Sequence, residues 1–203
     1  MCRASILVQY HDVSVVIPFR DDEEVIGNLV NNIARHLRER GHSFEIIAVD
    51  DDSRDNSFAL LALIRAECPE LRLATADRDH GHVVGARQAR GRILWFVEPG
   101  TVSFSSLTDA YHRVDTGEVD VVLEDEITLA RRARVTPLLD DLRGRGARFR
   151  QQLAARAERS RLLTRKSTRR RMALRRPTRP IQQWQQWMSH LASVLRQPHR
   201  HAG

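Results

Sequence analysis

The chain has 203 residues, a formal net charge of +7, 41% hydrophobic residues and only 5% aromatic ones, enough for one domain with an aliphatic core and an appended segment. Two cysteines, Cys2 and Cys68, lie in no paired motif and argue against a disulfide framework. No apolar run approaches the roughly 18 residues that a membrane-spanning helix needs, so a cytoplasmic protein is expected.

The charge is unevenly divided. Residues 1–139 carry 16 Lys and Arg against 23 Asp and Glu, whereas residues 140–203 carry 17 against 3. This pattern reads as an acidic domain over residues 10–137 followed by a basic, partly helical and partly disordered tail over 138–203.

Residues 13–17 form a β-branched run ended by Pro18, the pattern of a strand buried on both faces. Asp21 to Glu24 place four carboxylates at the start of a helix carried by Val25, Ile26, Leu29, Val30, Ile33 and Leu37; acidic groups suit that end of a helix dipole. Gly41 ends it. A second strand over residues 44–49 closes on Asp50-Asp51-Asp52-Ser53, and a helix containing Phe58, Leu60, Leu61, Leu63 and Ile64 runs to Pro69. A third strand is expected at 71–76, a short helical piece at 85–89 and a fourth strand at 93–97. A helix is expected at 107–114 and a fifth strand at 119–123. Residues 138–163 read as helical, interrupted by Gly144 and Gly146.

Apolar strands alternating with helices indicate an α/β sandwich built on a mostly parallel sheet. Ligands of such sheets bind beyond the carboxyl ends of the strands. Three polar clusters fall at such ends, at residues 18–24, 50–55 and 98–101.

The segments Val15-Val16-Ile17-Pro18-Phe19-Arg20-Asp21-Asp22-Glu23-Glu24 and Ile47-Ala48-Val49-Asp50-Asp51-Asp52-Ser53-Arg54-Asp55 resemble, in order and separation, the first two blocks of family 2 glycosyltransferases. Gly85-Ala86-Arg87-Gln88-Ala89-Arg90-Gly91 is similar to the family's G-x-x-x-A-x-G helix. The resemblance covers about residues 10–125. It implies a GT-A, Rossmann-like three-layer sandwich that binds a nucleotide-diphospho-sugar and transfers the sugar, with inversion, to a glycan or lipid-phosphate acceptor. It assigns the nucleotide to Pro18, Phe19, Arg20, Glu23, Asp50, Asp51 and Ser53. A carboxylate at a strand end accepts a base imide N–H or a ribose hydroxyl. Ser53 and Asp55 are expected to cap the helix that follows.

Where the family carries Asp-x-Asp, this chain has Glu98-Pro99-Gly100. The resemblance gives the last of those aspartates to a divalent metal, Mg²⁺ or Mn²⁺, which takes oxygen ligands. Glu98 is therefore the one metal candidate, and Gly100 supplies nothing. His80 and His82 read as solvated loop histidines. For the base that activates the acceptor, the late acidic residues Glu124 and Asp125 are the candidates, with Asp140 and Asp141 behind them. The alternative reading is a degenerate domain that binds nucleotide or a partner without transfer.

Eight basic residues crowd positions 165–179. They fit anionic lipid head groups on the inner face of a membrane better than nucleic acid. Gln183-Trp184-Gln185-Gln186-Trp187 is similar to the Q-x-x-R-W motif of processive synthases, a resemblance too short to carry weight.

Overall fold

The computed structural model describes residues 11–166 except 79, 101, 103 and 125. In chain order the elements are β1 (Val13–Phe19), α1 (Glu23–Glu39), β2 (Phe44–Asp50), α2 (Ser57–Ile64), β3 (Leu71–Thr75), α3 (Gly81–Gln88) and β4 (Ile93–Phe96). There follow α4 (Leu107–Thr116), β5 (Val121–Leu123), β6 (Thr128–Arg131), α5 (Arg132–Val135) with a 3-10 turn at Thr136–Leu138, α6 (Gly146–Arg159) and β7 (Thr164–Lys166).

The strands make one sheet in the order β3-β2-β1-β4-β6-β5-β7. The first four are parallel, β6 runs antiparallel to both β4 and β5, and β7 is parallel to β5. The chain steps outward from β1 to β2 and β3, then returns to place β4 on the other side of β1. This reversal opens a crevice beyond the carboxyl ends of β1 and β4, the usual ligand position in sheets of this class.

Strand alternation divides the core in two. Val16, Ile47, Val49, Leu94, Phe96, Val121, Leu123 and Ala130 pack with Val83 and Ala86 of α3 and with Phe149, Leu153 and Ala157 of α6. The opposite parity, including Val13, Val15, Ile17, Ile46 and Trp95, is buried on the other face. There Val13, Trp95 and Leu129 share a pocket with Leu37 of α1 and Leu107 of α4. The result is the three-layer α/β sandwich that the sequence pattern indicates.

The glycines of the Gly85-to-Gly91 segment have a steric purpose. A Cβ on Gly85 would stand 2.4 Å from Val16 Cγ1, and one on Gly91 would stand 2.5 Å from the Ser14 backbone nitrogen. Only hydrogen at these positions lets α3 lie against β1 and β2. Under this contact sits a buried polar network. Ser14 Oγ donates to Glu45 Oε1 at 2.7 Å, Arg90 N donates to the same oxygen at 2.6 Å, and Arg72 Nη1 donates to Glu45 Oε2 at 2.7 Å. Gly91 N in turn donates to Ser14 Oγ at 2.7 Å.

The second half departs from the sequence expectation. Residues 138–163 are not one interrupted helix. Gly144 and Gly146 adopt φ of +93° and +55°, left-handed values that break a right-handed helix, and the long helix begins only at Gly146. The strands β6 and β7 were not expected. Thr128 to Arg131 carries too few apolar residues to stand out, yet it lies at the sheet centre beside β4. The basic composition that suggested a boundary at residue 137 hides Phe149, Leu153 and Ala157, all fully buried. With β7 paired to β5, the packed unit reaches at least Lys166.

Burial alone would raise the Glu45 carboxyl; the bonds from Arg90 N, Ser14 and Arg72 outweigh it and hold the group below the ordinary range. A depressed carboxyl adds stability above its unfolded value, near ~4.3, and that stability is lost as pH falls through the folded value. Glu45→Gln is expected to destabilise the fold by about 2–3 kcal/mol at pH 7. Urea unfolding should show this gap narrowing below about pH 4; equal midpoints at neutral pH would refute the network's role.

Candidate functional site

Five segments converge at the carboxyl ends of β1, β2 and β4: residues 18–23, 50–57, 80–82, 98 and 145–146. The first two are tied by a reciprocal set of hydrogen bonds between the starts of α1 and α2. Glu23 N donates to Asp55 Oδ2 at 3.0 Å, and Asn56 N donates back to Glu23 Oε2 at 3.2 Å. Asp22 N donates to Ser57 Oγ at 3.0 Å, Arg54 N to Asp21 Oδ1 at 2.7 Å, and Asp21 N to Ser53 Oγ at 3.3 Å. Asp21 and Asp52 hold positive φ, +53° and +73°, a conformation that Asp tolerates better than most residues.

These bonds sort the carboxylates named by sequence. Asp50 Oδ1 accepts from Ser53 N at 2.9 Å and closes the turn after β2. Glu23 is committed to Asn56. Asp55 precedes the N-cap Asn56 and accepts from Ser57 N, the first residue of α2, whereas Ser53 reaches across to Asp21 rather than capping the helix. Phe19, expected to line a ligand, is fully buried and shares the strand parity of Ile17 and Val15, so it is a core residue.

Asp51 is different. It is fully buried, and neither carboxylate oxygen has a hydrogen-bond partner. Its backbone N–H is held by Phe19 O at 2.9 Å. Gly81, at the start of α3, lies against Pro18 and Asp51; a Cβ there would meet Pro18 Cβ at 2.5 Å. Among the described residues nine buried side-chain polar atoms lack partners, and six of them belong to this rim: two on Asp51 and one each on Arg20, His80, His82 and Arg145. Natively folded proteins leave few such atoms, and a cluster of them marks a place built for something other than stability.

Glu98, just beyond β4, is the second focus. His82 Nε2 lies 2.6 Å from Glu98 Oε1 and donates in the tautomer that protonates Nε2. Gly146 N donates to the same oxygen at 2.5 Å, and Arg145 Nε stands 3.5 Å from Oε2. Burial pushes the Glu98 carboxyl up, but His82, Gly146 N–H and Arg145 outweigh it and hold the group below the usual range. His82 is not a solvated loop residue: it is 2% exposed, stacked on Phe149 at 4.0 Å and edge-on to Phe96. Arg145 Nη2 donates to Asp22 Oδ2 at 3.0 Å and to Pro18 O at 3.2 Å.

The residues do not fit a hard divalent cation. Such an ion wants about six oxygen ligands, but Glu98 Oε1 is engaged by His82 and Gly146 N–H with the Arg145 guanidinium beside Oε2, and Gly100 has only open space where a side chain would begin. Among the described residues no group of three or more His, Cys, Asp or Glu side chains could hold a metal.

Of the later carboxylates, Glu124 pairs with Arg165 at 3.3 Å. Asp140 pairs with Arg87. Asp125 lies outside the described residues. Glu126, which sequence did not single out from its cluster, lines a small cleft with Glu98, His82, Thr128, Phe149 and Arg150. No helix among the described residues is long and apolar enough to cross a membrane.

Comparison with known proteins places this geometry in context. The model of "Glycosyl transferase family 2" matches residues 14–123, more than half of the chain. A curated relative, the undecaprenyl-phosphate 4-deoxy-4-formamido-L-arabinose transferase of Pseudomonas fluorescens (strain SBW25), is 34% identical over 89 residues, 41% of this chain and 26% of the relative. The chain thus spans about a quarter of the length of the curated relatives it matches. Among solved structures, a mannosyltransferase from Pyrobaculum calidifontis in complex with GDP-Man and Mn²⁺ superposes with a TM-score of 0.63 at 16% identity, covering 94% of this chain and 66% of the other. Glucosyl-3-phosphoglycerate synthase from Mycobacterium tuberculosis, solved with Mn²⁺, UDP and phosphoglyceric acid, gives 0.59 at 16% identity, covering 95% and 81%. These likenesses establish the GT-A-type sandwich.

The helix-start interlock is structural. Asp55→Ala removes acceptors for Glu23 N and Ser57 N at once and is expected to lower stability by about 1–2 kcal/mol, read as a fall in urea midpoint; an unchanged midpoint would show that the interlock contributes nothing.

Proposed function

The chain belongs to glycosyl transferase family 2, and from that premise we propose that it binds a nucleotide-diphospho-sugar at the carboxyl ends of β1, β2 and β4 and transfers the sugar to a lipid-phosphate or glycan acceptor. The observation that carries this reading is Asp51, a fully buried carboxylate with both oxygens unpartnered. Burying such a group without hydrogen bonds costs several kcal/mol. A uracil imide N–H, a guanine edge or a ribose hydroxyl would supply the missing donor. Asp51 is closed to solvent here, so the base reaches it only when the rim opens. Pro18 and Arg20 flank Phe19, whose carbonyl holds the Asp51 N–H, while Asp50, Ser53 and Glu23 shape the turn that presents it.

The acceptor reading draws on the relatives. Curated matches are named as transferases acting with undecaprenyl phosphate and as a dodecaprenyl-phosphate galacturonate synthase. A base for an acceptor hydroxyl must approach the sugar-bearing end of the site. Glu126, exposed and on the cleft beside Glu98, suits this better than Glu124, which is committed to Arg165.

A lipid acceptor would bring the chain to a membrane surface, and the basic cluster at 165–179 is suited to anionic head groups. All of that cluster but Arg165 and Lys166 lies outside the described residues. The second reading, nucleotide binding without transfer, is favoured by one observation: Glu98 is already engaged and Gly100 offers no ligand.

Calorimetry with UDP, GDP and their sugars tests the binding reading. Asp51→Ala is expected to weaken nucleotide binding by about tenfold or more, the loss of one charge-assisted hydrogen bond. The same substitution removes a buried, unpartnered polar group, so the free protein should gain about 1–3 kcal/mol in urea unfolding. Unchanged affinity removes the assignment. Tight nucleotide binding with no transfer to polyprenyl phosphate would leave the second reading standing.

A further inference from the structure

We propose that Arg145 is the fixed cation that receives the diphosphate of the nucleotide ligand, so that this chain binds nucleoside diphosphates without a divalent metal. The inference rests on the nucleotide reading above and concerns the phosphate end of the same site.

The case begins with what the guanidinium has left to offer. Nη2 is spent on Asp22 Oδ2 and Pro18 O. Nε faces Glu98 Oε2 at 3.5 Å without a hydrogen bond. Among the described residues Nη1 makes no hydrogen bond, and it is not one of the enclosed atoms. The side chain as a whole is 21% exposed. Arg145 is thus anchored along one edge and open along another. A guanidinium held this way is preorganised for phosphate, because its planar fork matches phosphate oxygens and its charge does not titrate.

Position supports the assignment. Pro18 and Asp22 lie at and just beyond the end of β1, and Glu98 just beyond the end of β4; Arg145 therefore bridges the two neighbouring strands at whose carboxyl ends the crevice lies. Two left-handed glycines, Gly144 and Gly146, flank it and set the turn that delivers it there. Gly146 also opens α6, whose amino end adds partial positive charge to the same spot.

Asp22 and Glu98 pair with this cation along its anchored edge, and other donors stand nearby. Glu98 Oε1 is satisfied by His82 and Gly146 N–H. Arg150 lines the adjoining cleft, and Arg20 carries a buried, unpartnered Nη1 at the rim. A diphosphate would meet an accessible N–H edge.

The test compares uridine with UDP, and guanosine with GDP, on the full chain by calorimetry, first with chelator and then with excess Mn²⁺ or Mg²⁺. In chelator the diphosphate is expected to bind about tenfold or more tighter than its nucleoside, with no gain from metal. Arg145→Ala should remove that preference while nucleoside affinity stays within about threefold of wild type, and Arg145→Lys should keep part of it. A wild-type preference that appears only with metal overturns the proposal without any variant, as does a preference that survives Arg145→Ala in a folded protein. If neither nucleosides nor diphosphates bind the wild type, the nucleotide reading falls and this proposal with it.

Discussion

Burying a carboxylate away from water costs several kcal/mol unless charge and hydrogen bonds compensate it, and Glu98 obtains that compensation from two segments far apart in the chain, α3 and the bend that opens α6. His82 arrives on α3, Gly146 N–H on the first turn of α6, and Arg145 from the bend before it. Each donor fixes more than a charge. His82 can reach Glu98 only because Gly81 and Gly85 let α3 press against β1, and its ring then supports Phe149, which seals the core under α6. The carboxylate after β4 thus holds the second half of the chain to the first. The rim is the consequence: the same contacts that neutralise Glu98 bring Arg145 over the ends of β1 and β4.

The parallel half of the sheet was legible in the sequence for a simple reason. β1 and β2 are buried on both faces, so their residues are almost uniformly apolar, and Pro18 and Asp50 mark where burial stops. Gly85 and Gly91 are readable as a motif, but its reason lies in the packing, as clearance from Val16 and Ser14. The antiparallel half was not legible. Thr128 to Arg131 is short, ends in arginine and precedes more arginine, so its central place beside β4 leaves almost no compositional trace. In α6 three buried side chains are spaced four apart among arginines and glutamines; the bulk composition reports the solvated face.

The site residues divide the same way. Sequence put Asp50 and Asp51 together as equals, yet one closes a turn and the other is sealed without a partner. Adjacent strand residues point to opposite faces, and no composition rule says which one will meet a donor. From sequence His82 reads as a loop residue because the helical pattern begins only at Gly85, whereas α3 starts at Gly81. Arg145 could not have been anticipated: its contacts with Pro18 and Asp22 span more than 120 positions of chain. Such pairings depend on how the last helix returns to the sheet, which local periodicity does not encode.

Concentrating unpartnered polar atoms at one rim has an energetic meaning. Each buried donor or acceptor left unmatched costs about 1–3 kcal/mol, and a fold of this size has only about 5–15 kcal/mol of net stability. A chain selected for stability alone would satisfy or delete them. Here the costs are offset nearby by the tight linkage of α1 and α2 through Glu23, Asp55 and Ser57, and by the Glu45 network beneath α3. The strain therefore sits where the segments are best braced. A guanidinium in such a frame differs physically from a bound metal ion. It cannot dissociate, and its place is set by the bend between Gly144 and Gly146 and by its bonds to Pro18 and Asp22.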